Sequence, residues 1–207
     1  MLKIGKITMG AVMTNCYFVY QEGTNRVLFV DPADKGALLY ERLKDAGFEV
    51  AAILLTHGHF DHIWGVDELR ARSGAKVYAY EGEKELLENS DLNASGQAGR
   101  PCTVQADVLL KDKEKVTIED MTFEVIATPG HTGGSCCFYF EDDGILISGD
   151  TLFEESVGRT DLPTGSPRAI VRSIQERLLV LPEEVKVYPG HGPATTIGHE
   201  AKYNPFV

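Results

Sequence analysis

Short apolar runs separated by turn residues dominate the hydrophobic pattern of the chain. Runs of strand length occur at residues 2–9, 16–20, 27–30, 51–55, 76–80, 107–110, 115–118, 121–128, 136–140, 145–148 and 185–188. Apolar residues at helical spacing, or a capping residue followed by proline, predict helices over 36–46, 63–72, 82–88 and 166–181. This order favours an α/β (α+β) fold of two mixed β-sheets with helices outside over a doubly wound parallel sheet.

Two irregular stretches interrupt the pattern. Thr14 and Asn15 are predicted to break the chain between the first two strands. Residues 89–101 are rich in Asn, Ser, Gly and Ala without a clear period, which predicts a long surface loop between two halves of similar plan. The chain has 207 residues, 43% of them hydrophobic and 25% charged, and these values fit one domain over residues 1–207.

Composition narrows the classes of partner. The net charge of −11 disfavours nucleic acid, which needs a Lys/Arg surface. No apolar run is long enough for a transmembrane span or a signal peptide, so we expect a cytoplasmic protein that does not bind membranes. The four cysteines show no C-x-x-C spacing, and we interpret them as small buried hydrophobic residues in the reduced state.

Candidate metal ligands follow four of the predicted strands. The motif THGHFDH at 56–62 follows strand 51–55, PGH at 129–131 follows strand 121–128, GD at 149–150 follows strand 145–148, and PGH at 189–191 follows strand 185–188. Loops at one end of a sheet are common places for binding sites. The candidate ligands are His57, His59, Asp61, His62, His131, Asp150 and His191.

The spacing within the first motif suggests two neighbouring ions. His57 and His59 are two residues apart in extended backbone, so both side chains can contact one ion, whereas Asp61 and His62 diverge and suit a second. Burying four such groups in one short loop without a cation would be costly. Imidazole and carboxylate ligands suit zinc, and also iron or manganese. The sixth histidine, His199, lies in a polar segment, and we assign it no role.

These motifs together resemble the metallo-β-lactamase superfamily, because THGHFDH, PGHT at 129–132, SGDT at 148–151 and PGHG at 189–192 span most of the chain. Within it, GRTDLP at 158–163 and the ending GHGPATTIGHE…NPF at 190–206 resemble short forms of the glyoxalase II-like thioesterases, the hydroxyacylglutathione hydrolases. The resemblance implies a four-layer αββα sandwich with the site at one edge of the sheets. It assigns His57, His59 and His131 to a first metal, Asp61, His62 and His191 to a second, and Asp150 to both.

The resemblance also implies a reaction. Two divalent ions, zinc first among the candidates, would hold a bridging hydroxide that attacks the carbonyl of a small thioester. Asp61 would orient this nucleophile or transfer a proton, and Thr56, Thr132, Ser148 and Thr151 are candidates to support the ligands or simply to cap turns. Arg159 is a candidate for binding a substrate carboxylate, with a salt bridge to Asp161 as the alternative.

Other interpretations of the same motifs stay open. The related persulfide dioxygenases share a GRTD segment but use one iron, a lactamase is less favoured, and a metal-binding module without catalysis is the alternative from a different class. The chain ends about sixteen residues after His191, so we expect it to lack the C-terminal helical domain that helps hold glutathione in full-length glyoxalase II enzymes.

Overall fold

Two six-stranded sheets packed face to face form the centre of the molecule. The computed structural model describes every residue from Met1 to Val207. The first sheet has the order β1-β2-β3-β4-β5-β6, and its strands are β1 Leu2–Met9, β2 Thr14–Gln21, β3 Arg26–Val30, β4 Glu49–Leu55, β5 Lys76–Tyr80 and β6 Val108–Leu110. Its first three strands pair antiparallel and the remainder pair parallel, so the sheet is mixed.

The second sheet is mixed as well. Its order is β14-β13-β10-β9-β8-β7, with β7 Lys115–Ile118, β8 Met121–Ala127, β9 Cys136–Phe140, β10 Ile145–Gly149, β13 Lys186–Pro189 and β14 Thr195–Thr196. A separate small hairpin consists of β11 Leu152–Phe153 and β12 Ser156–Val157. Strands β10 and β13 pair parallel, and the other pairs are antiparallel.

Helices cover the outer faces of both sheets. They are α1 Gly36–Asp45, α2 Phe60–Ile63, α3 Val66–Ser73, α4 Lys84–Leu87, α5 Pro167–Ser173, which continues as a π-helical turn over Ile174–Leu178, and α6 Ile197–Tyr203. None of them is long and apolar enough to cross a lipid bilayer.

Three buried clusters lie between four layers. Adjacent residues of a strand point to opposite faces of its sheet, so Leu28 of β3 enters the cluster between the two sheets while Phe29 packs with Leu39 of α1 in the outer cluster. A third cluster joins Val187 of β13 to Ile170 of α5 on the far side. The arrangement is the predicted αββα sandwich, and burial on both faces explains why β3 and β4 are continuous apolar runs.

The directions of the strands place the loops that carry the candidate ligands at one edge of the sheets. Strands β8 and β10 both run antiparallel to β9, and β13 runs parallel to β10, so the carboxyl ends of β8, β10 and β13 lie at one edge. Strands β3 and β4 are parallel to each other in the first sheet, and the antiparallel β2 starts where β3 ends. Hydrogen bonds from Cys136 N to Thr56 O and from Asn15 N to Gly190 O join the two sheets at this edge.

Several predicted boundaries were wrong. Thr14 and Asn15 do not break the chain but begin β2, and the turn of the first hairpin lies before them, with left-handed backbone at Gly10 and Met13. The helix expected over 63–72 begins only at Val66, because α2 ends at Ile63 and the chain between them passes so close to Pro32 that a side chain at Gly65 would collide with its backbone. The pattern also missed β11, β12, β14 and α6, whose short lengths leave no detectable period.

Candidate metal centre

Three histidine rings meet at the end of β4 and form the first ligand group. His57 and His59 come from the loop after β4, and His131 comes from the loop after β8. Nε2 of His131 lies 3.2 Å from Nε2 of His57 and 2.8 Å from Nδ1 of His59. All three side chains are buried, and the three nitrogens are close enough to contact one cation. The two histidines of the H-x-H segment and the distant PGH motif therefore meet as the sequence predicts.

A second group lies beside the first. It contains Asp61 and His62 from α2 and His191 from the loop after β13. Asp61 Oδ2 lies 3.5 Å from Nε2 of His62 and 3.2 Å from Nε2 of His191. His191 is the most exposed member, with 27% of its side chain accessible, so this group faces solvent more than the first does.

Asp150 contacts both groups. Its Oδ1 lies 3.4 Å from Nε2 of His62, and its Oδ2 lies 3.5 Å from Nε2 of His131 and 3.4 Å from Nε2 of His191. The backbone at Gly190 lies so close to this carboxylate that a Cβ at Gly190 would overlap Asp150 Oδ1. A glycine is therefore required beside the shared carboxylate, which explains the PGH motif after β13.

The chemistry of these atoms fits divalent cations. His62 Nε2 and Asp150 Oδ1 are buried and have no hydrogen-bond partner, although unpartnered buried polar atoms are rare and costly. Both belong to the ligand groups. A cation coordinated by them would remove this cost, and a set of imidazoles and carboxylates suits zinc, iron or manganese. His59 Nε2 is also buried without a partner, on the side of the ring away from the first group.

Hydrogen bonds at the outer nitrogens fix which ring nitrogen of three histidines is free. Thr56 Oγ1 donates to Asp31 at 2.6 Å, so it accepts from His57 Nδ1 at 3.1 Å. His62 Nδ1 donates to Asp31 Oδ2 at 2.9 Å, and His131 Nδ1 donates to a backbone carbonyl at 2.7 Å. His57 and His131 thus keep the lone pair of Nε2 for the centre of the site, and His62 directs its Nε2 there as well, as is usual for histidines that bind metals.

Asp31 supports the ligands, a role that was not predicted from the sequence. It follows β3 directly, has left-handed backbone (φ 51°), is buried, and accepts hydrogen bonds from Thr56 N and Oγ1 and from His62 Nδ1. Strain at a buried polar residue often accompanies a functional site. The available signal was a carboxylate directly after a buried strand, the same pattern that marked the ligands.

The substitution Asp31→Asn should weaken metal binding without removing a ligand. The amide would offer only one acceptor oxygen in place of a carboxylate, so the rings of His57 and His62 would lose their fixed orientation. We expect metal affinity to fall about 10–100-fold. A competition titration with a chromogenic chelator measures this fall. The substitution Asp45→Asn, at an exposed position of α1, serves as the control, and equal affinities for the two variants would contradict the role of Asp31.

Burial keeps the first group neutral in the metal-free protein. It lowers the pKa of His57, and the neighbouring His62 and His131 lower it further. Burial, followed by the charge of His131, also lowers the pKa of His59 to about 3, and burial lowers the pKa of His131. These three imidazoles therefore present lone pairs at neutral pH, before any ion binds.

The second group behaves in the opposite way. Burial would lower the pKa of His62 and His191, but the carboxylates of Asp61 and Asp150 outweigh it, so the pKa of His62 rises and that of His191 reaches about 9. Burial would raise the pKa of both carboxyls, but His62 and His191 outweigh it and lower them. Without metal, this group holds its charges as ion pairs.

Binding of the second metal ion should therefore release protons, and binding of the first should not. Below pH 9 the ring of His191 must lose a proton before Nε2 can bind a cation, so the affinity of the second step rises with pH up to about 9. Calorimetric titration with Zn²⁺ at pH 7 in two buffers of different ionisation enthalpy should give at least one proton for the second equivalent. His191→Asn should reduce that number by about one. Equal proton release in both steps would contradict the assignment.

A buried glutamate ties two ligand loops together. Glu83 Oε1 accepts from Gly58 N at 2.8 Å, and its Oε2 accepts from Thr132 Oγ1 at 2.9 Å. Burial raises the pKa of Glu83 to about 7. Because Gly58 lies between two candidate ligands and Thr132 follows a third, Glu83 fixes the loops on either side of the first group. Thr132 therefore has a supporting contact, and the sequence offered no signal for Glu83.

The C-terminal motif supports the hairpin beside the site. Glu200 is buried and accepts hydrogen bonds from Glu155 N at 2.9 Å and from Asn204 Nδ2 at 2.9 Å. Asn204 also donates to Ser156 O at 3.1 Å. His199 contacts Glu155 on the surface and belongs to neither ligand group. The ending GHE…NPF thus holds β11 and β12 rather than contributing ligands.

A cavity of about 270 Å³ opens onto both ligand groups. It is lined by Val12, His59, Phe60, Asp61, His131, Asp150, Phe153, Arg159, Leu162 and His191. Larger clefts occur elsewhere on the surface, but none contains a candidate ligand. The side chain of Arg159 forms two hydrogen bonds of 2.7 Å with Asp161, the alternative considered for it, while its carbonyl accepts from His131.

The structure brings all seven predicted ligands into one site. Of the four hydroxyl residues proposed as supports, Thr56 and Thr132 contact the network around the ligands. Thr151 bonds to Thr128, and Ser148 donates to the carbonyl of Leu152, so these two support turns. The group of Asp31, His57 and His62 is also close enough for a cation, but its contacts are the hydrogen bonds described above.

Comparison with known proteins agrees with this geometry. Residues 9–191 match the model of the metallo-beta-lactamase superfamily. The chain is 38% identical to the probable metallo-hydrolase YqgX of Bacillus subtilis over all of this chain and 98% of that protein. It is 29% identical to hydroxyacylglutathione hydrolase GloC of Haemophilus influenzae, over all of this chain and 98% of that protein.

Solved structures give the same result. The chain superposes on BLEG-1 B3 metallo-beta-lactamase with a TM-score of 0.93 and 41% identity, over 99% of both chains. It superposes on a di-iron-bound form of TTHA1623 with a TM-score of 0.87 and 36% identity, over 98% of this chain and all of the other. ETHE1 from Myxococcus xanthus is similar with a TM-score of 0.81 and 25% identity, over 98% of this chain and 83% of the other. The chain belongs to the metallo-β-lactamase superfamily.

Proposed function

We propose that this protein cleaves thioesters, as a metal-dependent hydrolase of the glyoxalase II type. The observation that carries the proposal is the position of Asp150, which contacts histidines of both ligand groups at the edge of a small cavity. Two adjacent divalent ions would supply a water with its pKa lowered to about 7 and would polarise a carbonyl oxygen. The thioester specificity is supported by the GRTDLP segment and by the similarity to GloC.

The residues of the site would bind the two ions and transfer a proton. His57, His59 and His131 would hold the first ion, Asp61, His62 and His191 the second, and Asp150 both. Asp61 accepts a hydrogen bond from Thr14 Oγ1 at 3.0 Å through Oδ2, the oxygen that also faces His191. Because Asp61 also lines the cavity, its carboxylate can hold or pass a proton beside the substrate.

The overall reaction is balanced without a further co-reactant. Water adds its oxygen to the carbonyl carbon, the carbon–sulfur bond breaks, and the electron pair of that bond goes to sulfur. The departing sulfur takes one proton of the water, so the products are a carboxylic acid and a thiol. The carboxylate of Asp61 is the protein group in position to carry that proton.

A steady-state assay tests this proposal. The metal-free protein is reconstituted with zinc, iron or manganese, and the loss of the thioester absorbance of lactoylglutathione is followed. Turnover that requires metal supports the hydrolase. The GRTD segment, which resembles the persulfide dioxygenases, favours one alternative, an oxygenase with a single iron, which predicts oxygen uptake with glutathione persulfide and no thioester cleavage.

The similarity to BLEG-1 favours a second alternative, hydrolysis of a β-lactam ring, because that chain is 41% identical over nearly its whole length. The chromogenic cephalosporin nitrocefin distinguishes the two hydrolases. Faster turnover of nitrocefin than of every thioester would overturn the proposal.

A further inference from the structure

The walls of the cavity are mostly apolar wherever they do not consist of candidate metal ligands. Apart from those ligands, the lining consists of Val12, Phe60, Phe153, Leu162 and Arg159. Val12 lies in the turn between β1 and β2 and is 47% exposed, although a large hydrophobic side chain is usually buried. Phe60, Phe153 and Leu162 are half-buried, so part of each faces the opening.

These apolar residues come from four separate parts of the chain. Phe60 begins α2, Phe153 lies on β11, Leu162 follows Arg159 in the GRTDLP segment, and the hairpin turn carries Val12. Their convergence is therefore produced by the fold and not by one apolar stretch. An apolar wall with a few polar groups at its base is the usual composition of a small-molecule site.

Arg159 is the only lysine or arginine in the lining, and its side chain is already paired. Its Nε and Nη2 each donate to Asp161 at 2.7 Å, and this contact lowers the pKa of Asp161 to about 2. The charge of Arg159 is balanced by its neighbour, and the lining contains no lysine and no second arginine. Apart from the candidate metal ligands, the lining therefore offers no unpaired cationic side chain to a substrate carboxylate.

We propose that the site prefers thioesters whose thiol carries a small uncharged aryl or alkyl group, bound against Phe60, Phe153 and Leu162. This inference rests on the proposed thioesterase activity and specifies its substrate class. The thiol glutathione carries two carboxylates and one ammonium group, whose desolvation against an apolar wall is unfavourable. The three half-buried apolar side chains offer contact to a group such as a phenyl ring or a short alkyl chain.

The test compares two thioesters with the same lactoyl group. One is lactoylglutathione, and the other is the lactoyl thioester of benzyl mercaptan. For the metal-loaded wild-type protein we expect kcat/KM to be at least about tenfold higher for the benzyl thioester, because a few carbon atoms in an apolar pocket account for such a factor. A higher kcat/KM for lactoylglutathione would overturn the inference and leave the thioesterase intact.

The two substrates differ in intrinsic reactivity, and comparing a variant with the wild type on each substrate cancels that difference. Leu162→Ser should lower kcat/KM for the benzyl thioester about tenfold more than for lactoylglutathione. Val180→Ser is the matched control, because Val180 is 69% exposed and does not line the cavity. Equal losses on both substrates in Leu162→Ser would contradict an apolar wall for the thiol group.

A binding measurement separates this inference from the thioesterase itself. A non-hydrolysable thioether analogue of the benzyl substrate is titrated into the metal-loaded protein by calorimetry. We expect its Kd to rise about tenfold in Leu162→Ser and to stay unchanged in Val180→Ser. If neither thioester is hydrolysed but this shift is found, the thioesterase fails and the apolar wall stands. If the Kd is the same in both variants, the apolar wall fails.

Discussion

Replacing Asp150 with asparagine should lower kcat/KM by on the order of 10³-fold, the largest effect expected of any single substitution. The carboxylate of Asp150 contacts His62 through Oδ1 and both His131 and His191 through Oδ2. Asparagine keeps the shape of the side chain but offers one oxygen without a negative charge. One substitution therefore weakens both ligand groups at once.

The matched control for this prediction is Asp142→Asn, the same chemical change at an exposed position in the turn between β9 and β10. Far-ultraviolet circular dichroism checks that both variants are folded, elemental analysis gives their metal content, and steady-state kinetics gives their activity. We expect the Asp150 variant to retain less than two equivalents of metal. Unchanged metal content together with unchanged activity would show that Asp150 is not shared between the groups.

Asp61→Asn should lower kcat about 10²-fold or more, the range for loss of a proton-transferring side chain. Its Oδ2 faces His191 and accepts from Thr14, and asparagine can still accept that hydrogen bond through its remaining oxygen. The first ligand group contains no atom of Asp61. The variant should therefore bind its first ion normally, bind the second more weakly, and turn over slowly even when both are bound.

Asp61→Asn and Asp150→Asn should differ in how they bind the first ion. Calorimetric titration with Zn²⁺ should give a wild-type first step for Asp61→Asn and a weakened first step for Asp150→Asn. Asp67→Asn is the control, because Asp67 is an exposed carboxylate in the first turn of α3. A wild-type kcat for fully loaded Asp61→Asn would remove Asp61 from the catalytic residues.

The layers and the ligand set could be predicted from the sequence because both depend on patterns of neighbouring residues. Strands buried on two faces, such as β4, are continuous apolar runs, and each ligand-bearing strand is followed within a few residues by a glycine and a histidine or aspartate. A strand end fixes the position of the next few residues. The motifs after β4, β8, β10 and β13 therefore became one site as soon as the directions of the strands were known.

The supports of the site could not be predicted in the same way, since their partners are distant in the chain. Asp31 bonds to His62, and Glu83 bonds to Thr132, contacts that exist only after the sheets have packed. Glu200 resembled part of a family motif, but its contact with Glu155 depends on the short strands β11 and β12, which no periodicity reveals. The sequence likewise does not show whether Arg159 pairs with Asp161, a contact that depends on the conformation of the loop.

The most direct test of a two-metal thioesterase is the activity of metal-free protein as Zn²⁺ is added in known equivalents. Hydrolysis of a thioester is recorded at each point. If both ligand groups are needed, the rate should stay low through the first equivalent, which fills the neutral histidines, and rise until the second equivalent is bound. A rate that is already complete at one equivalent, or no hydrolysis of any thioester at two, would contradict the account.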